Sequence, residues 1–257
     1  MELIDTHSHI YDEAFDEDID AVVERAREAG VCTCILPGID ISSYDRLTSC
    51  SDKLGAFVKP CTGLHPTSVA GNWKEELDFV FDHFRDRKFY AIGEIGLDLH
   101  WSDEFVREQK IVFESQLDFA SRNDLPVIIH LREATDLFFE VMSDMKGVPV
   151  KGTMHAFSGS YETYKRILAA GDFKFGIGGV VTYKNAGVAV SLEKMSLTDI
   201  VLETDCPWLT PVPHRGTRNE SSYVKIVADE VSRIKGLPVE DVAAVTTMNA
   251  RKLFNLQ

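Results

Sequence analysis

The chain has 257 residues, 44% hydrophobic and 26% charged, a balance that excludes a disordered polymer and fits an ordinary folded protein. Its formal charge of −14 excludes the broad basic surface that grips duplex nucleic acid, but leaves open a local anion site built around bound cations. No apolar run approaches the roughly 20 residues that cross a bilayer, and Met1-Glu2-Leu3-Ile4-Asp5 lacks the basic head and apolar core of a signal peptide, so a cytoplasmic protein without a membrane partner is expected.

In chain order, the first strand is predicted at Leu3–Thr6 and the first helix at Ile19–Ala26, whose apolar residues recur every three or four positions until Gly30 stops it. A second strand follows at Cys32–Leu36. Its two cysteines alternate as neighbours on one strand face do. With Cys50, Cys61 and Cys206 they make an odd number without C-x-x-C spacing, which predicts reduced, buried thiols. Further strands are expected at Phe57–Thr62, Ala91–Glu94, Val127–His130, Gly152–His155, Phe173–Gly178 and Ile200–Glu203. The clear helices among them are Phe105–Ala120, Ala134–Met145 and Tyr161–Ala170, the last ended by Gly171. The link after Gly178 is weakly patterned. After the eighth strand a polar loop runs through Pro211, Pro213, Arg215 and Asn219, and helices complete the chain. Strand and helix alternate throughout without a linker or composition break. That predicts an α/β protein, a (β/α)₈ TIM barrel occupying residues 1–257 as one domain, with an open doubly wound sheet as the alternative.

The informative feature is what stands where strands end. In Asp5-Thr6-His7-Ser8-His9, alternation puts Asp5, His7 and His9 on one face, so that two imidazoles point into the barrel mouth. Glu94, His130 and His155 each close an apolar run. Taken singly, each has a plain explanation as a turn residue, a salt bridge or a satisfied core histidine. Together with Asp205 they are six such groups on five strands, and buried carboxylates and imidazoles need a compensating partner, which divalent metal supplies. Glu203 and Asp205, two apart in Val201-Leu202-Glu203-Thr204-Asp205, are expected to face the same cavity, Asp205 as a ligand that also holds the nucleophilic water and Glu203 orienting the metal shell or a substrate group. The alternative for Asp205 is a helix cap. His65, in Gly63-Leu64-His65-Pro66, is the candidate for touching a phosphate or leaving oxygen, or it shapes a turn before proline. Arg132, Arg215 and Arg218 lie in loops on the same face, where guanidinium groups suit phosphate oxygens or form surface ion pairs. His83 falls in a helix, and neither it nor His100 receives a role.

These segments, together with Gly93-Glu94-Ile95-Gly96-Leu97-Asp98, Pro126 to Arg132, His155-Ala156-Phe157-Ser158-Gly159 and Arg215-Gly216-Thr217-Arg218-Asn219-Glu220, run in an order that resembles the TatD family of amidohydrolase-type barrels across nearly the whole chain. The resemblance implies one metal held by His7, His9, Glu94 and Asp205, with Glu94 bridging to a second held by His130 and His155. It also implies His65 near the phosphate and Glu203 near the metal shell. Glu94 stands where related hydrolases carry a modified bridging lysine, which disfavours a dihydroorotase or phosphotriesterase. Two positions depart from the family pattern: Leu99-His100, where an aromatic residue is usual, and Ser221, where proline commonly follows Asn-Glu.

The activity so implied is hydrolysis of DNA phosphodiesters, from single-stranded or 3′ ends as a 3′–5′ exodeoxyribonuclease, on two divalent ions. Several histidine ligands favour Zn²⁺ or Mn²⁺, whereas nuclease chemistry commonly uses Mg²⁺. The enzymatic rival is hydrolysis of another ester, such as that of aminoacyl-tRNA. A non-catalytic metal-bound interaction module is the rival from another class, and it leaves His65 and Glu203 without a purpose. No oligomeric state is legible in the pattern.

Overall fold

The computed structural model describes residues 1–256, so Gln257, the last residue of the expected barrel, lies outside the described residues. The strands are β1 (Leu3–Asp5), β2 (Val31–Leu36), β3 (Val58–Pro60), β4 (Ile92–Asp98), β5 (Val127–Arg132), β6 (Lys151–Met154), β7 (Asp172–Ile177) and β8 (Ile200–Leu202). All pair in parallel, as two arcs in the orders β1-β2-β3 and β4-β5-β6-β7-β8. The arcs meet at two seams. Gly93 N donates to Thr62 O at 2.8 Å beside a Thr62–Ile92 bridge, and Thr6 N donates to Leu202 O at 3.0 Å below a Ser8–Cys206 bridge. The ring is therefore a (β/α)₈ barrel.

Such a barrel needs strands that are apolar on both faces, because one face lines the interior and the other carries a helix. β4 meets this most completely, with every residue buried. Outside the ring lie α1 (Ile19–Glu28), α2 (Ile41–Leu54), α3 (Trp73–His83), α4 (Val106–Arg122), α5 (Thr135–Asp144), α6 (Tyr161–Ala170), α7 (Gly187–Lys194), α8 (Val224–Lys235) and α9 (Val239–Leu253). α1 buries Val22, Val23 and Ala26, while α4 buries Val112, Phe113, Leu117 and Ala120, the positions their periodicity marks. α8 and α9 pack on each other and against β8 and β1, covering that seam.

The departures from expectation are local. The third strand is only Val58–Pro60, because Phe57 ends a short 3-10 turn. The eighth stops at Leu202, so Glu203 is not a strand residue. α2, not among the clear helices of the pattern, buries Leu47, Thr48 and Cys50 and is fixed at its start by a capping box between Asp40 and Ser43. The weakly patterned link after Gly178 holds a 3-10 turn at Gly179–Thr182 and the short α7. The five thiols are free; Cys34, Cys50, Cys61 and Cys206 are buried and Cys32 partly so.

Candidate metal centre

Beyond β1 the chain runs on between two neighbours: Ser8 N donates to Ile35 O at 3.0 Å and His9 N to Cys206 O at 2.9 Å, while Asp205 N donates to His7 O at 2.9 Å. These bonds aim both histidines inward and bring Nε2 of His7 to 3.0 Å from Nε2 of His9. Asp5, expected on the same face, turns away instead. Its carboxylate accepts from Thr204 N at 2.9 Å and Thr204 Oγ1 at 2.7 Å, tying the C-terminal end of β1 to the turn after β8.

The protonation of His9 follows from its neighbour. The Tyr11 hydroxyl donates to Pro37 O at 2.6 Å, so its oxygen can only accept, and His9 Nδ1, 2.9 Å away, must carry the proton. Nε2 of His9 is then a bare lone pair facing His7. Burial, joined by the neighbouring imidazole, pushes both below the ordinary histidine range, so they are neutral at pH 7.

Glu94 divides the cluster. Its Oε2 lies 3.1 Å from His7 Nε2 and 3.8 Å from His9 Nε2. Its Oε1 lies 3.0 Å from His130 Nδ1, 3.4 Å from His65 Nε2 and 3.9 Å from His155 Nε2. Burial opposes a charge on Glu94, but the imidazoles of His7, His65 and His155 outweigh it and hold the carboxyl well below its usual range. Asp205 Oδ1 completes the ring at 3.6 Å from His7, His9 and His155 alike. Asp205 reaches that point through a backbone φ of 59°, not through the strand alternation expected from its spacing with Glu203.

Glu203 stands behind His155. It accepts from Ala156 N at 2.6 Å, and its Oε1 lies 3.0 Å from His155 Nδ1 without the alignment of a hydrogen bond. Gly176 makes the room, since a Cβ there would meet Glu203 Oε2 at 2.0 Å. Burial pushes Glu203 and Asp205 each up to about 7.

Two side chains give the other half a different character. His130 is held at both nitrogens, by Glu94 and, at 2.8 Å, by Asp98 Oδ2. Those hydrogen bonds overcome burial and push His130 up to about 9. His65 Nδ1 accepts from Thr67 N at 3.2 Å, so the ring proton sits on Nε2 and points toward Glu94. Asp98 received no role from the sequence. Its spacing four residues after Glu94 on one strand, which puts both on one face, is the signal that would have found it.

The donor set fits divalent cations. Ligand atoms within 4.8 Å of one another fall into three groups, His7-His9-Glu94, His7-His155-Glu203 and His65-Glu94-His130. Among the described residues, His7 Nδ1, His155 Nδ1 and Glu203 Oε2 are buried without a hydrogen-bond partner. A proton on His7 Nε2 satisfies the 3.0 Å contact with the bare His9 Nε2, and a divalent cation in its place would take a lone pair from each ring.

Among the described residues none of the three arginines hydrogen-bonds a group of this cluster, although Arg132 stands in register with Asp98. Arg132 stacks over Trp101 at 5.2 Å and Arg215 over Tyr183 at 4.2 Å. Arg218 donates to both oxygens of Asp18 at 2.8 and 2.7 Å and to Ala14 O, so its guanidinium serves an ion pair with the N-terminus of α1. His100 pairs with Glu133 at 2.6 Å, and His83 stacks on Phe79. Ser221, where the family commonly has proline, is buried and bonds Ser8 Oγ at 3.1 Å.

Imidazole and carboxylate lone pairs crowded where the strands of a barrel end define a class, the metal-dependent hydrolases built on (β/α)₈ scaffolds. Within it the assignment is specific. The family model described as TatD related DNase matches residues 4–255, and the chain belongs to the TatD family. It is 36% identical to the metal-dependent hydrolase YabD of Bacillus subtilis, over 99% of both chains. It is 32% identical to the deoxyribonuclease TATDN3 of Homo sapiens, over 98% of this chain and 94% of that one. The crystal structure of the TatD homologue YJJV from Escherichia coli superposes with a TM-score of 0.89 at 30% identity, covering 99% of this chain and 98% of the other.

Proposed function

We propose that this hydrolase cleaves phosphodiester bonds of DNA, removing nucleotides from single-stranded or 3′ ends, with the whole chain acting as one barrel domain. The observation that carries the reading is the split of the Glu94 carboxylate, one oxygen toward His7 and His9 and the other toward His130 and His155. In this reading His7, His9, Glu94 and Asp205 hold one divalent cation, and Glu94, His130 and His155 hold a second. Such a pair supplies Lewis acidity to the phosphate and lowers the pKa of the attacking water.

The protein groups do the rest. Among the ligands of the first cation Asp205 is the most open to solvent, at 14% side-chain exposure, and it positions the attacking water and accepts its proton. His65 presents Nε2–H to a phosphate or departing oxygen, where a charge-assisted hydrogen bond is strongest. Glu203 fixes the loop that carries His155 through the Ala156 amide. Arg132 and Arg215 meet flanking phosphates. Arg218 has no part in substrate binding here, because Asp18 occupies it.

The test strips the protein of metal, reloads it with Mg²⁺, Mn²⁺ or Zn²⁺, and assays 5′- and 3′-labelled single-stranded DNA beside aminoacyl-tRNA. The reading predicts metal-restored shortening from the 3′ end. Turnover of the aminoacyl ester without DNA cleavage would replace it with the ester reading, and activity in excess chelator would remove the metal from the mechanism.

A further inference from the structure

The mouth of the barrel carries two large aromatic side chains that folding does not use. Trp101, 71% exposed, follows β4, and Trp208, 51% exposed, follows β8. Strands β4 and β8 stand four places apart in the ring of eight, so the segments that carry the two indoles leave opposite sides of the barrel mouth. Each is tied to a site group. Trp208 meets the His9 ring edge-on at 5.1 Å, and Trp101 lies under the Arg132 guanidinium at 5.2 Å and against His100 at 4.9 Å.

Leaving an indole in water forfeits the burial that makes tryptophan stabilising, so two at one mouth call for an occupant. The charge of −14 removes the usual alternative, a diffuse phosphate grip, and leaves local contacts as the source of affinity. A cation stacked on an aromatic face offers a phosphate oxygen and a base plane one partner each. Unpaired bases expose their faces to such a platform, whereas duplex bases are stacked on their neighbours.

Resting on the nuclease reading above, we propose that Trp101 and Trp208 stack the unpaired nucleobases on either side of the scissile phosphate and make the enzyme selective for single strands. Both tryptophans are substrate-binding residues, and their contribution is to KM.

Two experiments separate this inference from the reading it rests on. With metal-loaded protein, KM and kcat are measured on an intact single-stranded oligonucleotide and on one with abasic sites flanking the scissile bond. Wild type should show a KM roughly tenfold to a hundredfold higher for the abasic strand. In Trp101→Ala and Trp208→Ala that difference should shrink by about tenfold each, and Trp101→Phe and Trp208→Phe should restore it. Cleavage with an undiminished abasic difference in both alanine variants would overturn the inference and leave the nuclease reading standing. The second experiment titrates metal-free protein with a methylphosphonate-linked tetranucleotide, uncharged and uncleavable, and follows tryptophan fluorescence. Quenching that weakens in each alanine variant supports stacking even if no DNA is cut. Absence of quenching in wild type overturns it.

Discussion

On the β1 and β8 side of the cluster, His7 and His9 are fully buried, and Tyr11 holds His9 in the tautomer that turns a bare nitrogen inward. On the β4 and β5 side, His130 is 19% exposed and both its nitrogens already have carboxylate partners, Glu94 and Asp98, while His65 turns a proton, not a lone pair, inward. The first half is the readier for a cation, since burial keeps His7 and His9 neutral at pH 7, whereas His130, pushed up to about 9, must first lose a proton. A cation in the second half must displace the Glu94–His130 hydrogen bond. On the proposed reading, in which both cations share Glu94, the His7–His9 site should fill first.

The largest effect is expected where the halves join. Glu94→Gln keeps the size but removes the charge that offsets two adjacent dications. Turnover should fall by at least about 10²–10³, with loss of one or more metal equivalents by elemental analysis. Two retained equivalents and near-native turnover would show that Glu94 does not link the halves.

Asp98→Asn tests the second half alone. Partners that orient a histidine ligand typically contribute about 10- to 100-fold to metal affinity, so binding of the second equivalent should weaken by that amount with the first unchanged. Equal weakening of both in a calorimetric titration would erase the distinction drawn here. His100→Ala, by contrast, should leave the metal content at the wild-type value and alter substrate preference, because His100 pairs with Glu133 on the rim.

Proton competition gives a smaller, graded effect. Burial pushes Asp205 and Glu203 up to about 7, so lowering the pH through that value protonates them, and a protonated carboxyl no longer favours a cation. Affinity at the His7–His9 site should therefore decline as the pH falls through about 7, while binding of the second equivalent should go on strengthening until His130 loses its proton near pH 9. An affinity flat between pH 8 and 6 would contradict the carboxylate assignment. Smallest of all, Arg218→Ala removes the partly exposed pair with Asp18, and should cost up to about 1 kcal/mol in denaturant unfolding with KM for DNA unchanged. A severalfold rise in KM would return Arg218 to the substrate face.

What the sequence made legible follows from which forces are local. Strand-end His7, His9, Glu94, His130 and His155 could be read because each closes or follows an apolar run, and the barrel because strand and helix alternate visibly. α2 was not singled out because Ser42, Ser43, Ser49 and Ser51 are residues that favour caps and turns over helix interiors, and α7 because it is short and lies in a weakly patterned link. Asp205 lies beside His7, His9 and His155 through a left-handed backbone turn that its spacing from Glu203 does not encode. Asp5 and Arg218 meet partners, Thr204 and Asp18, that lie about 200 positions away in sequence, which no local pattern announces. The pairing of Tyr11 with His9 depends on Pro37 O, a contact no local pattern announces.

The most direct test of unequal, shared sites is a Mn²⁺ titration of metal-free protein, followed by electron paramagnetic resonance and, in the same samples, by turnover on single-stranded DNA. The account predicts two equivalents per chain: an isolated-ion spectrum during the first, a spin-coupled pair during the second, and turnover that rises with the second. Full turnover at one equivalent, with no coupled signal at two, would contradict it.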